Sequence, residues 1–256
     1  MQCLDKILLF FILFYSYEKV SAKIPQINLK SYFAFSSYTF DSSVNQTYGT
    51  INKAVLTKNR TGIANNAYHF DGKAYIQFSA ANVIYDQYSY SVWCKPTKVF
   101  TKNSLSSLLE IGKSVNYIGQ TAGLMENYLG LLNGCSAGGY NKITLHFNVN
   151  SKTNITINEW VHIKSVRDSH GIKLSLNANL IDSQGVTYKI IPNYGSKVKT
   201  VIECRSDYSQ HFIGDIDEIL IYNRVLTSCE ILNLFKFGNK LLPRIRFTSI
   251  KYIWPK

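Results

Sequence analysis

Short apolar runs occupy most of the chain beyond residue 30, and Gly, Asn, Ser or Asp interrupts them about every 8 to 12 residues. The alternation is cleanest over residues 172–176, where polar side chains separate Ile172, Leu174 and Leu176. A period of two buries one face of a strand and leaves the other face in water. The pattern predicts an all-β domain, either a sandwich or a barrel.

One helix is predicted near the end of this pattern. Thr227 and Glu230 form a capping box, in which each side chain bonds a backbone amide that the first helical turn leaves unpaired. Ile231, Leu234 and Phe235 then share one face, and Gly238 ends the helix. One short helix after many strands is inconsistent with alternating strand–helix units, so we expect one domain over residues 23–238.

We interpret residues 1–22 as a signal peptide. Lys6 precedes an apolar run over residues 7–15, and residues 20–22 supply the small side chains of a cleavage site. The run is shorter than the roughly 20 residues that span a bilayer, and a short membrane anchor is the alternative. No later stretch is long and apolar enough to span. We therefore expect a soluble, secreted protein without a transmembrane segment.

Secretion changes how the cysteines and asparagines are interpreted. An even number of cysteines in an oxidising compartment favours two disulfides, with three possible pairings. The cysteines left after cleavage are Cys94, Cys135, Cys204 and Cys229. Sequons at Asn45, Asn59 and Asn154 are compatible with surface glycosylation.

The composition adds a charge imbalance to this picture. The chain is 46% hydrophobic and 17% charged, which excludes a largely disordered protein. The net charge is +12, and residues 239–256 form a basic tail without an acidic residue. Its cations are a candidate surface for acidic polysaccharides, and a tail packed back on the sandwich is the alternative. Four of them are the predicted contacts: Lys240, Arg244, Arg246 and Lys251. An exported chain disfavours nucleic acid as the partner.

Four stretches of sequence, in order, resemble the laminin G-like branch of the concanavalin A-like lectin/glucanase superfamily. They are residues 68–76 (YHFDGKAYI), 90–96 (YSVWCKP), 158–162 (NEWVH) with 173–177 (KLSLN), and 214–224 (GDIDEILIYNR) followed by Leu226, Glu230 and Ile231. The last is the most specific, because a strand, a turn and a helix start match together. The resemblance implies a jelly-roll sandwich of two antiparallel sheets with one short C-terminal helix. It departs from the family at Ala178, where the hairpin usually has glycine.

The resemblance also implies a function. Domains of this branch bind glycans, mediate protein adhesion or serve as structural modules, whereas catalysis belongs to other branches. We expect a non-enzymatic carbohydrate-binding or adhesion module whose partner is a glycan or an extracellular protein. The alternatives are a degenerate glycoside hydrolase and a purely structural domain. Tyrosines within residues 112–140 are the candidates for a sugar-stacking platform.

A retaining glucanase of this fold would need two carboxylates about 5 Å apart. Asp215 and Asp217 share one face of a predicted strand, but the next position on that face is Ile219, and Glu218 should point to the other side. The acid/base residue is therefore missing. The G-x-S-x-G pattern at residues 134–138 lacks the following helix of a nucleophile elbow, and we interpret it as a loop between strands.

Calcium is the cofactor that the resemblance raises, since many relatives carry one ion. Calcium requires six to eight oxygen ligands. The acids in the matched segments are Asp71, Asp215 and Asp217. The alternative is that these are hydrogen-bonded structural aspartates. We expect His162, Trp93 and Trp160 to be packed within the domain rather than to act in catalysis.

Overall fold

A computed structural model describes residues 24–79, 86–98, 105–113, 118–126, 132–140, 146–150, 155–185, 199–204, 208–209 and 211–238. These residues form fifteen strands and one helix. The strands are β1 (Leu29–Phe33), β2 (Thr50–Asn52), β3 (Val55–Thr57), β4 (Ala67–Asp71), β5 (Tyr75–Ser79), β6 (Tyr88–Pro96), β7 (Leu105–Lys113), β8 (Ile118–Glu126), β9 (Leu132–Tyr140), β10 (His146–Asn150), β11 (Val161–Arg167), β12 (Gly171–Leu176), β13 (Asn179–Gly185), β14 (Lys199–Ile202) and β15 (Ile213–Tyr222). The helix, α1, spans Ser228–Gly238. No helix in the described part is long and apolar enough to cross a bilayer.

The strands form two antiparallel sheets. The first sheet has the order β13-β12-β11-β6-β15-β4-β3, and β1 pairs with the second half of β15 beside β4. The second sheet has the order β10-β9-β8-β7-β14-β5-β2. The prediction of a two-sheet antiparallel jelly-roll sandwich with one short helix is therefore confirmed.

The core lies between the two sheets. Strand β6 contributes Tyr88, Tyr90 and Val92 to it, and β5 contributes Ile76 and Phe78 from the opposite sheet. Because the side chains of a strand alternate between its faces, the residues between these positions point away from the core. The outward residues of β6, which include Ser91 and Trp93, lie on the face of the first sheet that α1 covers.

Helix α1 covers the outer face of the first sheet. Leu226 and Leu234 pack against Leu220 and Tyr222 of β15 in a second, smaller apolar cluster. On this face Ser91, His162 and Lys164 are at most 1% exposed, so these polar groups are removed from solvent.

The hairpin between β12 and β13 has the tight reversal that the sequence predicts. Leu176 pairs with Asn179, so Asn177 and Ala178 alone form the turn. Both have positive φ angles, 50° and 67°. Asparagine tolerates this left-handed conformation well, whereas alanine adopts it at a steric cost that the glycine of the resembling family avoids.

The capping box at the start of α1 is confirmed. Thr227 Oγ1 accepts the backbone N–H of Glu230 at 3.2 Å, and Glu230 Oε2 accepts the backbone N–H of Thr227 at 2.9 Å. Arg224 adds an ion pair to the Glu230 carboxylate at 2.5 Å. This arginine, followed by the cap hydrogen bonds, lowers the pKa of Glu230 to about 2.

We expect the Thr227→Ala variant to lower the free energy of unfolding by about 1 kcal/mol, because an N-terminal amide of the helix loses its partner. Thr227 is exposed, so little packing is lost with it. Ser228→Ala, one exposed position later, is the matched control. Urea denaturation measures both, and equal stabilities for the two variants would contradict the capping role.

The structure does not support the two predicted disulfides. No disulfide joins any two of Cys94, Cys204 and Cys229. Two disulfides among four cysteines require one pair within these three, whichever partner Cys135 takes. The reason is their placement, since Cys94 lies buried in the first sheet, Cys204 lies buried after β14 of the second sheet, and Cys229 is exposed on α1.

Two further details differ from the sequence interpretation. Residues 134–138 lie within β9 rather than in a loop, so their G-x-S-x-G pattern is part of a sheet and not a strand-to-helix turn. The short strands β2 and β3 follow no clear alternation and were not expected.

Several predictions concern residues outside the described part of the chain. These are the signal peptide at 1–22, the sequon at Asn154 and the basic tail at 239–256 with Lys240, Arg244, Arg246 and Lys251. The side chains of residues 118–126 and 132–140 are also outside it, and with them Cys135 and most of the predicted sugar-platform region. These predictions stand as predictions.

Candidate functional site

The acidic residues of the G-x-I-D-E motif lie on the outer face of the first sheet. In the register with β6, Asp215 is opposite Lys95, and Asp217 is opposite Trp93. The motif begins with Gly214, whose φ is 152° and where a Cβ would lie 2.2 Å from the carbonyl oxygen of Lys95. Glycine is required there, because it lets β15 approach β6 closely enough to pair.

Glu218 does not point where the alternation places it. The register shifts between Asp217 and Ile219, and Glu218 has a φ of 46°. This β-bulge turns Glu218 toward the same side as Asp217. Arg60 binds both carboxylates, one guanidinium nitrogen contacting Asp217 and the other lying 2.7 Å from Glu218 Oε2. The expectation that Glu218 faces away was therefore wrong.

A tight turn positions Arg60 over this pair. The Asn59 side-chain oxygen accepts three hydrogen bonds, from the backbone and hydroxyl of Thr61 and from the backbone of Ile63. The Arg60 guanidinium then lies 5.0 Å from the centre of the Trp93 ring, a cation–π contact. Asn59 is only 6% exposed, which argues against a glycan at this sequon, whereas Asn45 is exposed.

The three aspartates proposed for calcium have other partners. Asp215 lies 2.7 Å from His69 Nδ1 and forms an ion pair of 2.7 Å with Lys95, and Asp217 binds Arg60. Asp71 accepts the backbone N–H groups of residues 73 and 74, which lowers its pKa. Within the described residues, these three aspartates do not form one cluster of metal-ligating groups. In this arrangement each of the three aspartates binds a different partner, and calcium binding by them stays a prediction.

His162 and Trp93 are packed, as the sequence predicts. Their rings stack with centroids 4.9 Å apart, and Phe235 of α1 stacks on Trp93 at 5.6 Å. His162 Nε2 lies 2.7 Å from the Ser91 hydroxyl. Burial, and then the charges of Arg60 and Lys164, lower the pKa of His162 to about 3, so its ring is neutral at physiological pH. Trp160 is half-buried, 5.7 Å from the Lys95 ammonium.

The buried network does not present two accessible carboxylates. A retaining mechanism needs two carboxylates that both reach the sugar. Asp217 and Glu218 are the neighbouring pair on the outer face, but their side chains are 0% and 6% exposed and Arg60 covers them. The network holds the turn at residues 59–63 and helix α1 against the sheet.

An exposed group of side chains lies on the other sheet. We call Asn52, Tyr75, Gln77 and Tyr208 the tyrosine patch. Asn52 and Tyr75 are cross-strand neighbours on β2 and β5, and the rings of Tyr75 and Tyr208 lie 4.9 Å apart with an interplanar angle of 44°. Tyr208 is 45% exposed, while Tyr75 and Gln77 are half-buried.

Hydrogen bonds fix the patch and leave part of it open. Asn52 Nδ2 donates to the Tyr75 hydroxyl at 3.1 Å, and the Tyr208 hydroxyl donates to Gln77 Oε1 at 3.2 Å. Among the described residues, Gln77 Nε2 and Asn52 Oδ1 have no further hydrogen-bond partner. Among the described residues, the patch thus leaves one ring face, one amide donor and one amide acceptor for a ligand.

Beside the patch lies a buried polar cluster. Glu203 directly follows β14 and is fully buried, and His211 Nδ1 is 2.9 Å from its carboxylate. Burial raises the pKa of Glu203 to about 9. Cys204 is also buried, and Ile202, just before the cluster, pairs with Ile76, the neighbour of Tyr75 in β5, so the cluster lies close to the patch. The sequence predicts Cys204 only as a disulfide partner, without a connection to Glu203 or His211.

Comparison with protein families identifies the fold independently. A sequence profile described as the concanavalin A-like lectin/glucanases superfamily, of laminin G-like type, matches residues 70–232. No curated protein matches the chain.

Solved structures share the architecture at low sequence identity. Domain 4 of AbnA, an extracellular arabinanase from Geobacillus stearothermophilus in complex with arabinotriose, has a TM-score of 0.64 and 19% identity, with 81% of this chain and 98% of that domain covered. The binding domain of botulinum neurotoxin serotype G has a TM-score of 0.65 and 14% identity, with 82% and 51% covered. The binding domain of botulinum neurotoxin DC in complex with SialylT has a TM-score of 0.63 and 14% identity, with 82% and 52% covered. The chain thus spans about half the length of the toxin binding domains.

Proposed function

Because the chain belongs to the concanavalin A-like lectin/glucanase superfamily, we propose that it is a carbohydrate-binding module without catalytic activity, and that the tyrosine patch is its binding site. The observation that carries this proposal is the exposed Tyr208 ring beside the open amide groups of Gln77 and Asn52.

The chemistry of the patch suits a sugar. A pyranose or furanose ring has an apolar face of C–H groups and an edge of hydroxyl groups. The Tyr208 ring can cover the apolar face, since aromatic side chains combine apolar area with a fixed geometry. Gln77 Nε2 and Asn52 Oδ1 can donate to and accept from neighbouring hydroxyls. The hydrogen bonds within the patch hold these groups in place before a ligand arrives, which reduces the entropy lost on binding.

Two of the similar structures are consistent with this proposal. One is a domain in complex with arabinotriose, and another is a toxin binding domain in complex with SialylT. The AbnA protein is described as extracellular. Together with the sequence of residues 1–22, this supports the proposal that the present protein is secreted and meets its ligand outside the cell.

The absence of activity is proposed on the placement of the acidic residues. The acidic pair of the G-x-I-D-E motif binds Arg60 and is shielded from solvent, so it offers no nucleophile and acid/base pair to a sugar. The tyrosine patch itself contains no carboxylate. We propose that the protein binds its glycan without cleaving it.

A second candidate function, protein adhesion, has its own support. Tyr38, Val44 and Tyr48 are 54%, 79% and 73% exposed, and the ring of Phe40 lies 4.8 Å from that of Tyr48. This apolar group lies in the connection between β1 and β2. One similar toxin domain is in complex with rat synaptotagmin II. Exposed apolar groups of this kind are typical of protein interaction sites.

A glycan array probed with the purified, fluorescently labelled protein tests the main proposal. We expect the wild type to bind a set of related glycans, and the Tyr208→Ala variant to lose at least about tenfold in apparent affinity, a loss of about 1.4 kcal/mol. Tyr38→Ala is the matched control, because it removes a tyrosine of similar exposure from the other aromatic group.

The two variants separate the possible outcomes. Binding by the wild type and by Tyr38→Ala, together with loss in Tyr208→Ala, supports the assigned site. Loss in Tyr38→Ala alone would contradict the site, and a wild type that binds no glycan would contradict the function.

A further inference from the structure

A compact set of metal-ligating side chains lies between β14 and β15. Glu203 and Cys204 follow β14, and His211 precedes β15. One ligand atom from each lies within 4.8 Å of the other two. We propose that Glu203, Cys204 and His211 bind one zinc ion. This site is separate from the glycan proposal and does not depend on it.

The combination of donor atoms selects the class of ion. A thiolate, an imidazole nitrogen and a carboxylate oxygen are the three side-chain donors that zinc takes in proteins. Calcium and magnesium prefer oxygen alone, so a sulfur ligand disfavours them. In a tetrahedral zinc site the ligand atoms lie roughly 3.5 Å apart, a separation that small side-chain rotations of these residues can reach.

Burial and charge favour a divalent cation at this position. Glu203 and Cys204 are both 0% exposed. Binding of a metal ion releases the protons of the Glu203 carboxyl and the Cys204 thiol, and the resulting carboxylate and thiolate carry two negative charges. A doubly charged ion neutralises them, whereas a monovalent ion leaves one charge unpaired.

The backbone holds the ligands in place from both sides. The Glu203 N–H donates to the carbonyl of Leu108 in β7 at 3.1 Å, and the Phe212 N–H donates to the carbonyl of Glu203 at 2.9 Å. The first bond attaches Glu203 to the second sheet. The second bond joins Glu203 to Phe212, the residue that follows His211. His211 retains 18% exposure of its side chain, which provides a route for an ion to enter.

Cobalt provides the direct test, because Co²⁺ occupies zinc sites and reports sulfur ligation through a thiolate-to-metal charge-transfer band. The full-length mature protein is stripped of metal with a chelator and titrated with Co²⁺. We expect one equivalent to produce the charge-transfer band together with the visible bands of tetrahedral Co²⁺. One equivalent of Zn²⁺ should then abolish both signals.

Matched variants locate the site. Cys204→Ser should lose the charge-transfer band, and His211→Ala should weaken Co²⁺ binding at least tenfold. Cys229→Ser and His170→Ala remove an exposed cysteine and an exposed histidine elsewhere, and both should titrate like the wild type. Because His211 is partly exposed, His211→Ala keeps the test valid if Cys204→Ser does not fold.

Three results would overturn the proposal. These are a wild type without a charge-transfer band, a band that persists unchanged in folded Cys204→Ser, and a His211→Ala variant with wild-type affinity. Each of them is independent of whether the protein binds a glycan, so the two proposals fail separately.

Discussion

Replacing Arg60 with alanine is expected to lower the free energy of unfolding by about 3–5 kcal/mol. The guanidinium is the cation that binds both Asp217 and Glu218, and all three side chains are 6% exposed or less. Without it, two adjacent carboxylates remain buried beside each other, and the contact with Trp93 is lost as well. Thermal or urea denaturation measures the effect.

Two further variants identify the cause of that loss. Arg60→Lys keeps the charge but not the two-pronged geometry, and we expect an intermediate stability. Arg224→Ala breaks a more exposed arginine–carboxylate pair with Glu230 and should cost about 1 kcal/mol. If Arg60→Ala is no less stable than Arg224→Ala, the buried ion pair does not have the role assigned to it.

Replacing Lys164 with methionine should stabilise the protein at neutral pH by about 2–3 kcal/mol. Lys164 is 1% exposed, and its Nζ has no hydrogen-bond partner among the described residues. Burial, partly offset by Glu230, lowers its pKa from 10.5 to about 7. Methionine fills a similar volume without a charge to desolvate.

The pH dependence gives this prediction a specific signature. The unfolded lysine takes up its proton below pH 10.5, whereas the folded one does so only below about 7. The contribution of Lys164 to stability is therefore lost as the pH falls from 10.5 to 7 and changes no further below 7.

We consequently expect the stabilisation by Lys164→Met to be large at pH 7 and to shrink toward pH 10. Lys173→Met, on the neighbouring strand, is the control because Lys173 is half-exposed. A gain for Lys164→Met that is the same at both pH values would show that the buried ammonium is not its cause.

Local sequence patterns predicted the parts of this fold that local interactions determine. The capping box needs only Thr227 and Glu230, three residues apart, and the hairpin turn needs only Asn177 and Ala178. The alternation within 172–176 fixes which face of β12 is buried. In these cases the physical cause lies within a few residues, so one sequence is sufficient.

The carboxylate network could not be predicted in the same way. Arg60 is 157 positions from Asp217, and it lies in a short polar turn without a pattern of its own. The bulge at Glu218 breaks the alternation of β15, and no residue type in the motif marks it. An interpretation based on strict alternation therefore placed Glu218 on the wrong side.

The two proposed sites also differ in how far apart their residues lie in the sequence. Tyr208 and Gln77 are 131 positions apart in the sequence. Their contact, and with it the tyrosine patch, forms only when the two sheets are folded. The metal-ligating cluster is local by contrast, since Glu203 and His211 are eight positions apart. The close spacing of Glu203, Cys204 and His211 is visible in the sequence. It was not used, because the cysteines were interpreted as disulfide partners.

Titration calorimetry with the glycan that gives the highest array signal tests the central claim most directly. The proposal predicts that Tyr208→Phe binds within about threefold of the wild type, because the ring remains and only its hydroxyl is lost, whereas Tyr208→Ala weakens binding at least about tenfold. Equal affinities for the wild type and Tyr208→Ala, with both proteins folded, would contradict carbohydrate binding at the tyrosine patch.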